Sequence, residues 1–354
     1  MKKTVLAFIL ICAPAFAYVD PDLNAQAQAI AHRLEAAQGH EILMGAYWQQ
    51  GVPQFPSTLK QPLINTFYVT GGGWDGRYID FWGSNKERDK VISKWKNGAT
   101  IIFIRPGFPN VSSAATGKDF DGTYYGLWNV TGDPVTRVLP GGADRERWLS
   151  VLDGYVVVLK DLQSRGIPVV FIPFFEGDCG WFWYGTANAT QEQYRALFRD
   201  LVEYFKAKGV HNALYLYEPV LNSTATAGCE VGEADAGRYP GNDHVDILGL
   251  SLYDKTAVFD DYALRYAKLA GAAARTGKIW GQAEGGHDQE KAPMNNFWSW
   301  YFTHVLADPN ARNAAFISFD DPPYYPLAGS PSYDDLRKAQ DDPAFDRFTW
   351  LPKK

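Results

Sequence analysis

Residues 168–185 read Pro-Val-Val-Phe-Ile-Pro-Phe-Phe-Glu-Gly-Asp-Cys-Gly-Trp-Phe-Trp-Tyr-Gly, an apolar strand that closes on one carboxylate and runs into a wall of aromatic rings. A carboxyl so placed, Glu176, can be held protonated by apolar surroundings and can deliver that proton to the leaving oxygen of a glycosidic bond. Trp181, Trp183 and Tyr184 beside it offer flat faces of the kind that stack on sugar rings. The same residues also read as a structural carboxylate paired with an arginine and as core aromatics, since rings fill cores more often than they bind ligands. A second carboxylate, Glu284, stands in Ile279-Trp280-Gly281-Gln282-Ala283-Glu284-Gly285-Gly286, where the glycines permit an unusual backbone and the close approach of a ligand. Two carboxyls facing each other roughly 5 to 5.5 Å apart are what a retaining glycosidase requires. Tyr253 can orient the second carboxylate by donating its hydroxyl, or is a loop aromatic with no such duty.

Positioning these groups takes a scaffold of parallel strands. Short apolar runs alternate with longer amphipathic stretches, and no heptad, solenoid repeat or low-complexity linker interrupts them. The runs predict strands over Ile42–Ala46, Ile64–Tyr68, Thr100–Ile104, Val169–Phe174, Ala213–Tyr217, Val245–Leu252, Ile279–Gln282 and Phe316–Phe319, the number that closes a barrel. Helices fit between them. Arg145–Ser164 carries Trp148, Leu149, Leu152, Val156, Leu159 and Leu162 at three-to-four spacing, and Gln191–Lys208 repeats Tyr194, Leu197, Phe198, Leu201 and Phe205. The expected fold is α/β, a single (β/α)8 TIM barrel over residues 18–354, with its chemistry at the carboxyl ends of the strands. Glu176 closes the fourth strand and Glu284 the seventh, so the two point at each other across the barrel mouth.

Composition narrows the setting. Lys2 and Lys3, the apolar run Val5–Cys12 and then Ala15-Phe16-Ala17 have the order of a cleaved secretory signal over residues 1–17, which implies a secreted or periplasmic chain that starts near Tyr18. The run is too short to span a bilayer. A net charge of −6 argues against nucleic acid or an anionic membrane as partner. Aromatics make up 15% of the chain, with 12 Trp, a surplus that favours a carbohydrate-facing cleft and so a polysaccharide or oligosaccharide partner for a monomer. In an exported protein Cys179 and Cys229 are expected to pair, with two free buried thiols as the alternative. The bond would close a loop of about fifty residues between neighbouring rim loops. The six His form no metal-ligand pair, and Gly71-Gly72-Gly73 lacks the helix and Lys of a phosphate loop, so neither a metal nor a cofactor is expected. Asp75, Asp80, Asp119 and Asp121 show no regular calcium pattern.

Ile172-Pro173-Phe174-Phe175-Glu176 followed by Gly180-Trp181-Phe182-Trp183-Tyr184-Gly185 resembles the signature of glycoside hydrolase family 26, best known for endo-β-mannanases. The likeness extends through Tyr194 and Leu197, Gly209-Val210-His211-Asn212, Asp246-Ile247-Leu248-Gly249 with Tyr253, and Glu284-Gly285. The resemblance implies a retaining, endo-acting hydrolase in which Glu176 is the acid/base, Glu284 the nucleophile, Tyr253 its neighbour, Trp181 an aromatic near the sugar, and Phe319 the ring that closes the eighth strand. The chain departs from that pattern where the family has His before the acid, here Phe175, and Arg at the start of the motif, here Ile172. The third strand ends in Arg105, where the family often offers His. A guanidinium facing the cleft would suit an acidic glycan, whereas an ion pair with a barrel carboxylate such as Asp80 would leave a neutral mannan. Loss of polar groups beside Glu176 also leaves room for a degenerate barrel that binds a glycan without cleaving it.

Overall fold

The computed structural model describes residues 18–48, 55–69, 86–96, 100–111, 132–222, 228–254, 259–287, 293–320 and 332–351. The expected signal segment, Gly71–Gly73, Asp75, Asp80, Asp119 and Asp121 lie outside them. Strands β1 (Ile42–Trp48), β2 (Ile64–Val69), β3 (Ile101–Pro106), β4 (Val169–Phe171), β5 (Ala213–Tyr217), β6 (Ile247–Leu248), β7 (Ser251–Asp254), β8 (Ile279–Trp280), β9 (Glu284–His287), β10 (Phe316–Phe319) and β11 (Phe348–Thr349) follow one another with helices between most of them. The sheet runs β10-β1-β2-β3-β4-β5-β6-β8, all neighbours parallel. A parallel bridge from Gln282 to Ile317, with Gln282 N–H donating to the Phe316 carbonyl, brings β8 back to β10 and nearly closes the ring. This is the eight-stranded barrel that the apolar runs predict. Strand β11 pairs with Ile42 and Leu43, the stretch of β1 that precedes its pairing with β2.

The strands are buried along their length, as sheet covered by helices requires. The helix Arg145–Ser164 turns Trp148, Leu152, Tyr155, Leu159 and Leu162 inward. The helix Gln191–Ala207 turns in Tyr194, Leu197, Phe198, Leu201 and Phe205, and starts in a capping box made by Thr190 and Gln193.

Three strands differ from the periodicity, each for a local reason. Strand β4 stops at Phe171 instead of Phe174 because Pro173 has no N–H to continue the ladder. The single run Val245–Leu252 is two strands: β6 pairs with β5 and β8, after which β7 leaves the ring and pairs with β9 alone. The seventh run likewise ends at Trp280, and the chain resumes as β9 from Glu284. Gly285, at φ +155°, allows that change, since a Cβ there would lie 2.1 Å from the Leu252 carbonyl oxygen. The barrel thus carries a small two-stranded extension at its mouth, and Glu284 is its first residue.

Candidate active site

Glu176 follows β4 by five residues and sits in the left-handed region at φ +53°, a conformation that costs a non-glycine residue about 1–2 kcal/mol. Its surroundings hold it there. Its N–H donates to the Glu218 carbonyl at 2.7 Å, its own carbonyl accepts from Cys179 N–H, and the next residue, Gly177, lies so close to the Tyr194 ring that a Cβ would fall 2.0 Å from Cε2. The half-buried carboxyl accepts two hydrogen bonds, one from Trp181 Nε1 at 2.8 Å on Oε2 and one from Ser251 Oγ on Oε1. Its setting is therefore polar on both oxygens, in contrast to the apolar pocket suggested by the sequence.

Ser251 is also the residue that lies in register with Glu284 across the β7–β9 pair. Adjacent strands run about 4.8 Å apart, so Ser251 stands beside Glu284 while its hydroxyl holds Glu176. Glu284 is buried, and its Oε2 is in ion-pair contact with Arg105 Nη1. The Arg105 guanidinium lies 3.5 Å from the centroid of the Phe175 ring and donates to Tyr47 Oη at 3.0 Å. Phe175 precedes Glu176, which closes a circuit: Glu176, Ser251, Glu284, Arg105, Phe175. Two of the three departures from the family pattern, Phe175 and Arg105, meet in space as a cation and the ring beneath it.

Arg105 is only 3% exposed and already holds an anion, so its neighbours are protein groups and not an open cleft. The ion-pair expectation applies, with Glu284 as the partner. Burial works against the guanidinium charge, but Tyr47, Glu218, Glu176 and Tyr253 outweigh it and keep Arg105 protonated.

Several predicted site aromatics belong to the core. Trp183 is fully buried, donates its indole N–H to the Phe108 carbonyl at 3.0 Å and packs edge-on against Trp148 and Phe174. Tyr184 is equally buried, with its hydroxyl on the Phe175 carbonyl at 3.1 Å. Phe319 lies under the rings of Trp298, Tyr301 and Phe297. These rings build the wall behind the site and present no free face. Trp181, half-exposed, is the member of the run that reaches Glu176. Tyr253 donates its one hydroxyl proton to Asp320 Oδ2, so it has none left for Glu284. Burial, and then Asp320, push the Tyr253 phenol well up and keep it a neutral donor.

The loops behind Glu176 are fastened twice. Cys179 and Cys229 form a disulfide across 50 residues. Asp178 accepts from Val220 N–H at 2.9 Å and Leu221 N–H at 2.9 Å, where Leu221 has φ +57°. Burial raises the Asp178 carboxyl to about 6 in spite of these donors.

Four residues of this region escape a reading of strands four and seven alone: Tyr47, Ser251, Asp320 and Glu218. Glu218 and Asp320 directly follow β5 and β10, so a search for charged residues just past every strand end finds both. Among the described residues, the grouping with the reach of metal ligands is Asp20, Asp22 and His211, before β5 at the other end of the barrel, where His211 Nδ1 is bonded to Asp20 at 2.8 Å. No helix of the described residues is long and apolar enough to cross a membrane.

A parallel barrel with two glutamates at neighbouring positions of its mouth defines a class, the (β/α)8 glycosidase barrels. The sequence pattern of glycosyl hydrolase family 26 matches residues 19–315, and the chain belongs to that family. It is 34% identical over 152 residues to a mannan endo-1,4-beta-mannosidase of Bifidobacterium adolescentis, covering 41% of this chain and 14% of that protein. A mannan endo-1,4-beta-mannosidase of Bacillus subtilis is 25% identical over 175 residues, covering 47% of this chain and 43% of that one. The chain thus spans less than half the length of these relatives. The catalytic domain of a Bacillus sp. JAMB-750 family 26 endo-beta-1,4-mannanase has the same fold, with a TM-score of 0.74 at 22% identity over 96% of this chain and 94% of that one. So does GH26C from Muricauda sp. MAR_2010_75, with a TM-score of 0.76 at 20% identity over 95% of each chain.

Proposed function

We propose that this chain is a secreted, retaining endo-β-glycan hydrolase acting on β-mannan or a closely related neutral polysaccharide. The observation that carries the reading is Ser251 at the barrel mouth, whose hydroxyl donates to Glu176 and whose position on β7 lies in register with Glu284 on β9. Glu284 attacks the anomeric carbon, and Arg105 supplies the counter-charge on its inner oxygen. Glu176 passes its proton to the departing glycosidic oxygen, leaving a glycosyl ester on Glu284. Glu176 then takes a proton from water, which attacks the same carbon and releases the ester. Trp181 and Ser251 hold the Glu176 carboxyl in place through both steps.

A neutral substrate is favoured over an acidic one because the Arg105 charge is buried and already paired, and an anionic sugar would have to displace Glu284 to reach it. Secretion is supported by the charged, apolar and small-residue order of residues 1–17 together with the disulfide. The test is release of reducing ends from β-mannan, β-1,3-xylan, mixed-linkage glucan and an acidic algal polysaccharide. Mannan is expected to be cleaved fastest. Binding of one glycan with cleavage of none would identify a degenerate, non-cleaving barrel.

A further inference from the structure

Glu218 follows directly on β5, and its backbone carbonyl accepts the Glu176 N–H at 2.7 Å. Its side chain is fully buried, and neither carboxyl oxygen has a hydrogen-bond partner among the described residues. A buried carboxylate without partners is costly, so such a group has some use for its position. Arg105 Nε is also buried and without an acceptor. The guanidinium is therefore engaged through Nη1, by Glu284 and Tyr47, and has a donor to spare at Nε. Glu218 has two acceptors to spare and lies within Coulombic reach of it.

We propose that Glu218 is a positioning residue that governs Arg105: as a neutral carboxyl it leaves the guanidinium on Glu284, and as a carboxylate it draws the guanidinium away. This inference rests on the reading of Glu284 as nucleophile. The charged and titratable groups that face Glu218 are Arg105 from β3, Glu176 and Asp178 from the loop after β4, Asp320 after β10, and the phenols of Tyr47 and Tyr194. Burial raises the Glu218 carboxyl to about 8, Arg105 pulling it down and Glu176, Asp320 and Asp178 pushing it up. Glu218 is thus neutral at pH 6 to 7 and ionises as pH climbs past about 8. Glu284 then loses the cation that holds it, and attack on the anomeric carbon slows. No proton need pass between Glu218 and the sugar, so Glu218 acts through Arg105.

Two measurements test this. In the first, infrared spectra of the substrate-free protein and of Glu218→Gln are compared from pH 5 to 10. The parent should show a protonated-carboxyl band that disappears around pH 8 and is missing from the variant. Absence of such a band in the parent overturns the proposal whatever the enzyme cleaves. In the second, the burst of dinitrophenolate from a dinitrophenyl β-mannobioside follows glycosylation alone, because that leaving group needs no proton from Glu176. The parent burst rate should fall at least tenfold between pH 7 and 9, and that of Glu218→Gln should stay level. An equal fall in both overturns the assignment. If the substrate is not turned over at all, the hydrolase reading fails, and the infrared result still decides the role of Glu218.

Discussion

The two sides of the site are held by different physics. On the acid side, Glu176 is fixed by covalent and backbone restraints: a disulfide, the Asp178 contacts to two backbone amides, a glycine pressed against Tyr194 and an aromatic wall. On the nucleophile side, Glu284 opens a two-stranded extension outside the main ring and is held by a buried charge, Arg105, itself seated on Phe175. An acid/base must lose a proton and regain it once per turnover, so its own contacts are hydrogen bonds at a half-exposed carboxyl while the loop around it is rigid. A nucleophile must stay ionised and in place until it attacks, and a buried guanidinium favours both. The comparison teaches that geometry is secured mechanically around the group that exchanges protons, and electrostatically around the group that must be ionised when it attacks.

Breaking the two sides should therefore have different signatures. Glu284→Ala should lower polysaccharide turnover by at least about 10⁴-fold, as removal of a covalent nucleophile does, with partial rescue by azide. Glu176→Ala should lose about 10²- to 10⁴-fold on polysaccharide and far less in the glycosylation step with a dinitrophenyl leaving group. Stopped-flow and steady-state rates on both substrates check this; near-normal polysaccharide turnover by either variant removes the assignment.

Arg105→Ala leaves the buried Glu284 carboxylate without its cation and should destabilise the fold by about 3–5 kcal/mol in urea titrations. Arg105→Lys keeps the charge but loses the stack on Phe175 and should fall between parent and alanine variant. On the acid side, Cys179→Ser with Cys229→Ser should cost about 4 kcal/mol or less by loop entropy. The acid/base role itself should survive at low temperature. Equal loss of activity and stability in both experiments would dissolve the contrast between the two sides.

How far the sequence shows this contrast depends on which side is read. Eight apolar runs and two helical stripes place the barrel, because periodicity reports burial directly. The acid side is local, with Glu176, Cys179 and Trp181 within six residues, and its disulfide is legible from two cysteines in an exported chain. The nucleophile side is assembled from β1, β3, β7, β9 and the end of β10, so Tyr47 and Ser251 carry no local mark and Asp320 shows only as the charged residue just past a strand end. Arg105 is visible as a departure, but only the fold shows that it meets Phe175 and Glu284. Trp183, Tyr184 and Phe319 read as ligand faces from composition, yet no pattern distinguishes a ring at the mouth from one behind it.

The smallest effect concerns pH. Glu218 and Asp178 have folded values of about 8 and about 6, above their ordinary 4.5 and 3.8. Between the ordinary and the folded value the native state binds more protons than the unfolded one, so stability falls as pH rises through each window. Stability from urea titrations should fall between pH 5 and pH 9, by about 1 kcal/mol from Asp178, whose window closes near pH 6, and by about 2–3 kcal/mol from Glu218 after relaxation of the site, and Glu218→Gln should remove the part of that slope above pH 6. A stability that rises over this range would contradict both assignments.

The central claim, that Glu176 and Glu284 act on one bond as acid/base and nucleophile, is tested most directly by trapping. Glu176→Ala incubated with a dinitrophenyl β-mannobioside should accumulate a covalent glycosyl adduct, and peptide mass spectrometry should place it on Glu284. Turnover without an adduct, or an adduct on any other residue, would contradict the account.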